Sequence, residues 1–97
     1  MYVYIYFLRH PHLNEGYVGR SCDPWRRYKE HLKDDDITPK TDWIRGLLYS
    51  HVGRPVLEIL ERVPDSVSFE KEREWTRKLI IDGCDIKNST NRGIGIY

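Results

Sequence analysis

The chain has 97 residues, with 16 Lys and Arg against 15 Asp and Glu, a formal net charge of +1, and 39% hydrophobic and 32% charged residues. That size suits one domain burying about 60–65% of its unfolded surface, and the composition is that of a soluble globular fold, not a disordered tract. A near-neutral balance excludes the uniformly basic surface of a dedicated nucleic-acid-binding module, so any such contact must come from a local patch and be salt-sensitive.

Two cysteines, Cys22 and Cys84, supply neither a disulfide framework nor a four-cysteine zinc site, which predicts a reducing, cytoplasmic setting. No apolar run reaches the roughly 18–20 residues that a bilayer requires. Met1 to Leu8 lacks the basic flank and small-residue cleavage site of a signal peptide.

Residues 2–8 are almost entirely aromatic or β-branched and predict a first strand. His10 to Gly16 carries Pro, Asn and Gly and reads as a turn, after which Tyr17-Val18-Gly19 forms a short second strand and closes a β-hairpin. If the paired residue numbers add to an odd sum, Tyr6 and Tyr17 project from the same face. Gly19 is expected to end the strand. Asp23-Pro24 then starts a helix, with Asp as N-cap and Pro at the first helical position. On that helix Trp25, Tyr28 and Leu32 form an apolar stripe, while Arg27 and His31, four residues apart, share another flank.

Asp34 to Asp36 reads as a solvated acidic stretch, the alternative being a site for a second cation. A second helix starts at Thr41 or Asp42, buries Trp43, Ile44, Leu47 and Leu48, and stops at Gly53. Residues 56–63 make a third strand, and a third helix runs from about Ser68 to Ile81, closed by Gly83. Residues 85–97 read as irregular coil. The order β-β-α-α-β-α predicts an α+β fold in one domain, residues 1–97, with a three-stranded, mainly antiparallel sheet flanked by helices. His10 and His12 resemble half a zinc site but have no partners in the sequence, and read as loop histidines.

The third helix carries a polar residue where an apolar one belongs. With Glu72 at zero on a helical wheel, Leu79 falls at about −20°, Thr76 at about +40°, Trp75 at about −60° and Phe69 at about +60°. Glu70 and Glu74 point the opposite way. An inward carboxylate needs an arginine, Arg27 being a candidate, or hydrogen bonds, or a metal. A hard cation such as Mg²⁺, held by one or two carboxylates and by substrate phosphate oxygens, suits a lone inward glutamate.

Taken together, these residues resemble the GIY-YIG nuclease family over nearly the whole chain. Tyr4-Ile5-Tyr6 stands where the family has Gly-Ile-Tyr, with Tyr4 in place of glycine, and Tyr17-Val18-Gly19 follows after ten intervening residues. Arg27 and His31 match the family arginine and histidine, Glu72 ahead of Trp75 matches the catalytic glutamate, and Asn88-Ser89-Thr90 matches a C-terminal Asn-x-Thr. Trp43-Ile44-Arg45-Gly46-Leu47 matches a helix shared by several members.

The resemblance implies a bare catalytic module: an endonuclease hydrolysing DNA, with RNA open as substrate. It implies one Mg²⁺ or Mn²⁺ on Glu72, Arg27 on the scissile phosphate, and Tyr6 or Tyr17 activating or orienting water. His31 would assist proton transfer or hold a tyrosine hydroxyl, and Asn88 would fix the site by hydrogen bonding. A phenol near pKa 10 is a poor base, so Arg27 or the metal is expected to lower it. Each residue also has a plainer reading: sheet aromatics for Tyr6 and Tyr17, a surface ion pair for Arg27, a helix-flank histidine for His31, a turn residue for Asn88. A catalytically silent nucleic-acid-binding module on the same fold is the rival. Sequence specificity would need a homodimer or a separate partner.

Overall fold

The computed structural model describes residues 1–33, 39–50 and 52–87. Its elements are β1 (Tyr2–Arg9), β2 (Glu15–Ser21), α1 (Pro24–Lys33), α2 (Pro39–Tyr49), β3 (Val56–Pro64), α3 (Asp65–Ile81) and β4 (Asp85–Ile86). The expected α+β class and order hold through α3. The sheet, however, has four strands in the order β3-β1-β2-β4 and is mixed. β1 pairs antiparallel with β2 and β3, while β4 joins β2 in parallel through Glu15↔Asp85 and Gly16↔Ile86. A two-residue strand has no periodicity to announce it, which is why Asp85-Ile86 reads as coil until α3 carries it to the edge of β2.

In the hairpin, Tyr6 opposes Gly19 and Leu8 opposes Tyr17. The paired numbers do add to an odd sum, so alternation sends Tyr6, Leu8 and Tyr17 to one face and Ile5, Phe7 and Val18 to the other. Each face is covered by different helices. Val3, Ile5, Phe7, Val18, Val63, Cys84 and Ile86 pack with Val67, Trp75 and Leu79 of the α3 side. Tyr6, Leu8 and Ile44 pack with Tyr17, Tyr28, Leu32 and Trp43 of the α1–α2 side. Phase is kept on β3 by a bulge: Ile5 pairs with Glu61 but Tyr6 pairs with Ile59. The extra residue, Leu60, lets Val63 face α3 while Leu57 faces α1 and α2.

Several local expectations shift. β2 continues past Gly19 to Ser21, because it pairs with β1 along its length. α2 begins at Pro39 and ends at Tyr49, so Gly53, at φ 120°, belongs to the following loop and is no helix stop. α3 begins at Asp65, sooner than expected. Trp25 (56% exposed) and Phe69 (57% exposed) lie outside the core, as does Leu48. Trp25 rests edge-on against Tyr4, and Phe69 lies beneath the guanidinium groups of Arg20 and Arg73.

Helix ends follow the sequence more closely. The Asp23 carboxylate accepts from Arg26 N at 3.1 Å, an N-cap bond. Gly83, at φ 94°, closes α3 with two bonds, Gly83 N to Ile80 O at 3.0 Å and Cys84 N to Leu79 O at 2.9 Å. That pair of bonds is the Schellman arrangement, and it turns the chain directly into β4. His10 is buried, and its Nδ1 accepts from the backbone N–H of His12 and of Leu13, both at 2.9 Å. It therefore organises the hairpin turn. Among the described residues no helix is long and apolar enough to cross a membrane.

Replacing Gly83 by Ala forces an L side chain into the left-handed region, a cost of about 1–2 kcal/mol. Urea denaturation of Gly83→Ala should show stability reduced by that amount, as a lower midpoint with an unchanged slope.

Candidate active site

Gly19 is the residue on which the site is built. A Cβ there would collide with the hydroxyl and ring of Tyr6, so the absence of a side chain on β2 is what allows Tyr6 to lie across it. Tyr6 is 1% exposed, and its hydroxyl is 2.8 Å from Nε2 of His31, itself 1% exposed. The last turn of α1 thus delivers an imidazole into the α1–α2 side of the sheet. His31 is a core residue, not the flank residue that the helical wheel suggests.

Two further groups converge on the Tyr6 hydroxyl. The charge of Arg27, one turn before His31, favours ionisation of that hydroxyl, and Tyr17 disfavours it. The Tyr17 ring stands edge-on to His31, with centroids 5.4 Å apart, and lies 6.4 Å from the Tyr6 ring. Arg27 is exposed and donates through Nη1 to Glu30 Oε1 at 3.1 Å, so its guanidinium faces both the phenols and solvent. Tyr6, Tyr17, Arg27 and His31 therefore form one cluster.

Glu72 belongs to the other layer. It lies on α3 in line with buried Ser68 and Thr76, and its side chain is 23% exposed, so the inward position read from the wheel is correct. Its partner is not Arg27. Arg20 Nε lies 3.0 Å from Glu72 Oε2, and Arg20 Nη1 donates to Ser68 Oγ at 2.9 Å. Arg20 follows Val18 by two positions on β2 and so shares its α3 face. Reading β2 only as far as Gly19 hid it; extending the alternation by two residues finds it. Glu72 still reaches the phenols electrostatically, since its charge disfavours ionisation of both Tyr6 and Tyr17. β4 covers β2 only at Glu15 and Gly16, and the strip from Tyr17 to Ser21 lies beyond that cover.

Arg27 by itself does not bring the phenols below their ordinary range. Burial pushes the Tyr6 phenol well above its ordinary value, and Tyr17 adds to that effect, while Arg27 opposes both and is outweighed. Tyr17 is raised chiefly by burial and then by Glu72. Both phenols are therefore neutral at physiological pH. Burial also raises the Glu72 carboxyl, against the lowering influence of Arg20. Asn88 lies outside the described residues, as do Asp34 to Asp36.

A family model described as the GIY-YIG catalytic domain matches residues 2–79. The chain belongs to the GIY-YIG family. That match spans both tyrosines, the arginine, the histidine and the glutamate, and it stops short of β4. Neither a curated protein nor a solved structure matches the chain. Within this GIY-YIG domain, no group of three or more His, Cys, Asp or Glu comes together among the described residues. Glu72 is the carboxylate whose charge bears on both phenols. One half-buried carboxylate is a donor set that fits Mg²⁺ or Mn²⁺ only as a shared site, completed by water and by a phosphate ligand.

The raised Tyr6 has a stability consequence. Between the unfolded value near 10 and the higher folded value, the unfolded chain has lost a proton that the folded protein keeps, so stability falls as pH rises above 10. Tyr6→Phe removes this coupling, and its denaturation free energy should decline less steeply above pH 10, by up to about 1.4 kcal/mol per pH unit.

Proposed function

We propose that this protein is a metal-dependent endonuclease that hydrolyses phosphodiester bonds in DNA. The observation that carries the reading is the buried Tyr6–His31 hydrogen bond with Tyr17 and Arg27 around it, electrostatically coupled to an inward Glu72. Membership of a nuclease family makes a nucleic acid the substrate class.

Glu72 would hold one Mg²⁺ or Mn²⁺, which when bound neutralises charge on the phosphate and leaving oxygen. Arg27, with its planar fork facing solvent beside the phenols, would donate to the non-bridging oxygens and stabilise the charge developing there. Both phenols being neutral, neither acts as a ready phenolate. The geometry favours a relay instead. The half-buried Tyr17 meets the attacking water and passes its proton toward Tyr6, and Tyr6 donates to Nε2 of His31 in its Nδ1–H tautomer. Of the three groups the imidazole is the one whose ring nitrogen is a ready acceptor for that proton. Asn88 would act as a hydrogen-bonding residue of the same site.

A separate cationic groove could contact the substrate backbone. Lys29, Lys33 and Arg54, together with Leu32 and Leu48, line a groove of about 420 Å³ on the α1–α2 side. Among the described residues these three cations have no ion-pair partner, so they supply the local patch that a near-neutral chain requires. The groove lies on the other flank of α1 from Arg27 and His31, so it would hold the nucleic-acid backbone away from the scissile phosphate. Loosely specific or structure-specific cleavage suits such a module, and sequence specificity would come from a homodimer or a separate partner.

Nicking of supercoiled plasmid tests the reading. Wild type should nick with Mg²⁺ or Mn²⁺ and not with EDTA, and Glu72→Ala should lose about 10²–10³-fold or more in rate. Equal activity in both would sink the mechanism. A wild type that nicks with neither metal would favour the rival, a binding module in which the raised phenols are simply buried aromatics. Since Glu72 must be ionised, the acid limb of the pH–rate profile should lie above the ordinary carboxylate range. Replacing Lys29, Lys33 and Arg54 by Ala should weaken DNA binding and make the log–log salt dependence shallower, by about 0.9 for each phosphate that the variant no longer neutralises.

A further inference from the structure

We propose that Arg20 and the divalent cation compete for Glu72, so that the cation binds tightly only when a substrate phosphate is present to take the guanidinium. The proposal rests on the metal-dependent reading above and concerns how that site is loaded.

Arg20 sits on the ligand oxygen itself. Its Nε is 3.0 Å from Glu72 Oε2, close enough to supply the counter-charge that a half-buried carboxylate needs. A cation arriving at Glu72 alone meets a single carboxylate whose charge is already balanced, with a positive group against one of its two oxygens. Mg²⁺ requires octahedral oxygen coordination, and among the described residues no cluster of carboxylates and histidines stands ready to add to this one. The isolated protein is therefore a poor cation site by charge as well as by ligand count.

A phosphodiester changes both at once. Its oxygens complete the coordination shell, and they also accept from a guanidinium better than a shared carboxylate does. Arg20 is held so that it can make the exchange. Its Nη1 donates to Ser68 Oγ at 2.9 Å, and the Ser68 hydroxyl, fully buried, donates in turn to Asp65 O at 2.9 Å. The Phe69 ring lies 5.4 Å from the guanidinium carbon. These contacts do not involve Glu72, so they keep the guanidinium beside the site when its bond to the carboxylate opens. The Arg20 side chain is 41% exposed, which leaves its outer edge open to a ligand from solvent. Release of Glu72 and capture of phosphate thus become one event, and the site stays weakly loaded until substrate arrives.

The test is Mn²⁺ binding to the full chain, followed by electron paramagnetic resonance, with and without a phosphorothioate DNA duplex. Without DNA, Arg20→Gln should bind Mn²⁺ about tenfold more tightly than wild type, the Coulomb effect of one adjacent charge after allowance for its exposure. Adding duplex should tighten both, since phosphate supplies ligands to either, and should tighten wild type by about tenfold more than Arg20→Gln. Arg20→Lys, which keeps the charge as a point, should stay close to wild type in the absence of DNA. An unchanged or weaker Mn²⁺ affinity in folded Arg20→Gln would overturn the proposal. If Arg20→Gln fails to fold, Ser68→Ala serves instead: loosening the guanidinium should tighten Mn²⁺ binding without DNA, and no change would overturn the proposal. Glu72→Gln separates the two levels. If it binds Mn²⁺ as wild type does, the metal reading itself fails; if it loses Mn²⁺ while Arg20→Gln gains nothing, only the competition fails.

Discussion

A phenol and an imidazole, each removed almost wholly from water, meet at 2.8 Å in the middle of this small protein. Either group buried alone would leave a polar atom unsolvated, at a cost of about 1–3 kcal/mol. Together the Tyr6 hydroxyl and Nε2 of His31 satisfy each other, and the pairing ties β1 to the last turn of α1. Gly19 makes room for it, because the Tyr6 ring occupies the space its side chain would fill. The hairpin register then sets where Tyr17 stands, and helical spacing sets where Arg27 stands. The cluster is a consequence of one close approach and of strand and helix periodicity.

The two faces of the sheet divide the labour. The α1–α2 face holds the two phenols and the imidazole together with the exposed Arg27, and the α3 face holds the carboxylate with its guanidinium. Separation matters electrostatically. Had Glu72 lain against the phenols directly, it would have pushed them still further from ionisation, and Arg27 would have been drawn to it instead of to solvent. Arg20 takes up that charge on its own side of the sheet, while Arg27 pairs with Glu30 at the solvent edge of the other. The bulge at Leu60 keeps both faces apolar beneath these groups, so each cluster rests on a packed layer.

The sequence by itself determined the class, the element order through α3, the odd-sum condition on the hairpin and the inward Glu72. Those features follow from local periodicity, which 97 residues are enough to display. It also carried the spacing of Tyr6, Tyr17, Arg27, His31 and Glu72 that marks a GIY-YIG domain. Only the tertiary structure decided who meets whom. A wheel assigns a residue to a flank but cannot say whether another layer covers it; hence His31 is buried while Trp25, on the apolar stripe, is exposed. The partner of Glu72 depended on how far β2 runs, and strand length is set by pairing with β1 across the hairpin. β4 exists only because α3 returns the chain beside Glu15 and Gly16. The state of the phenols was likewise beyond the sequence, since burial, the effect that outweighs Arg27, is a property of the packed layers and not of any spacing.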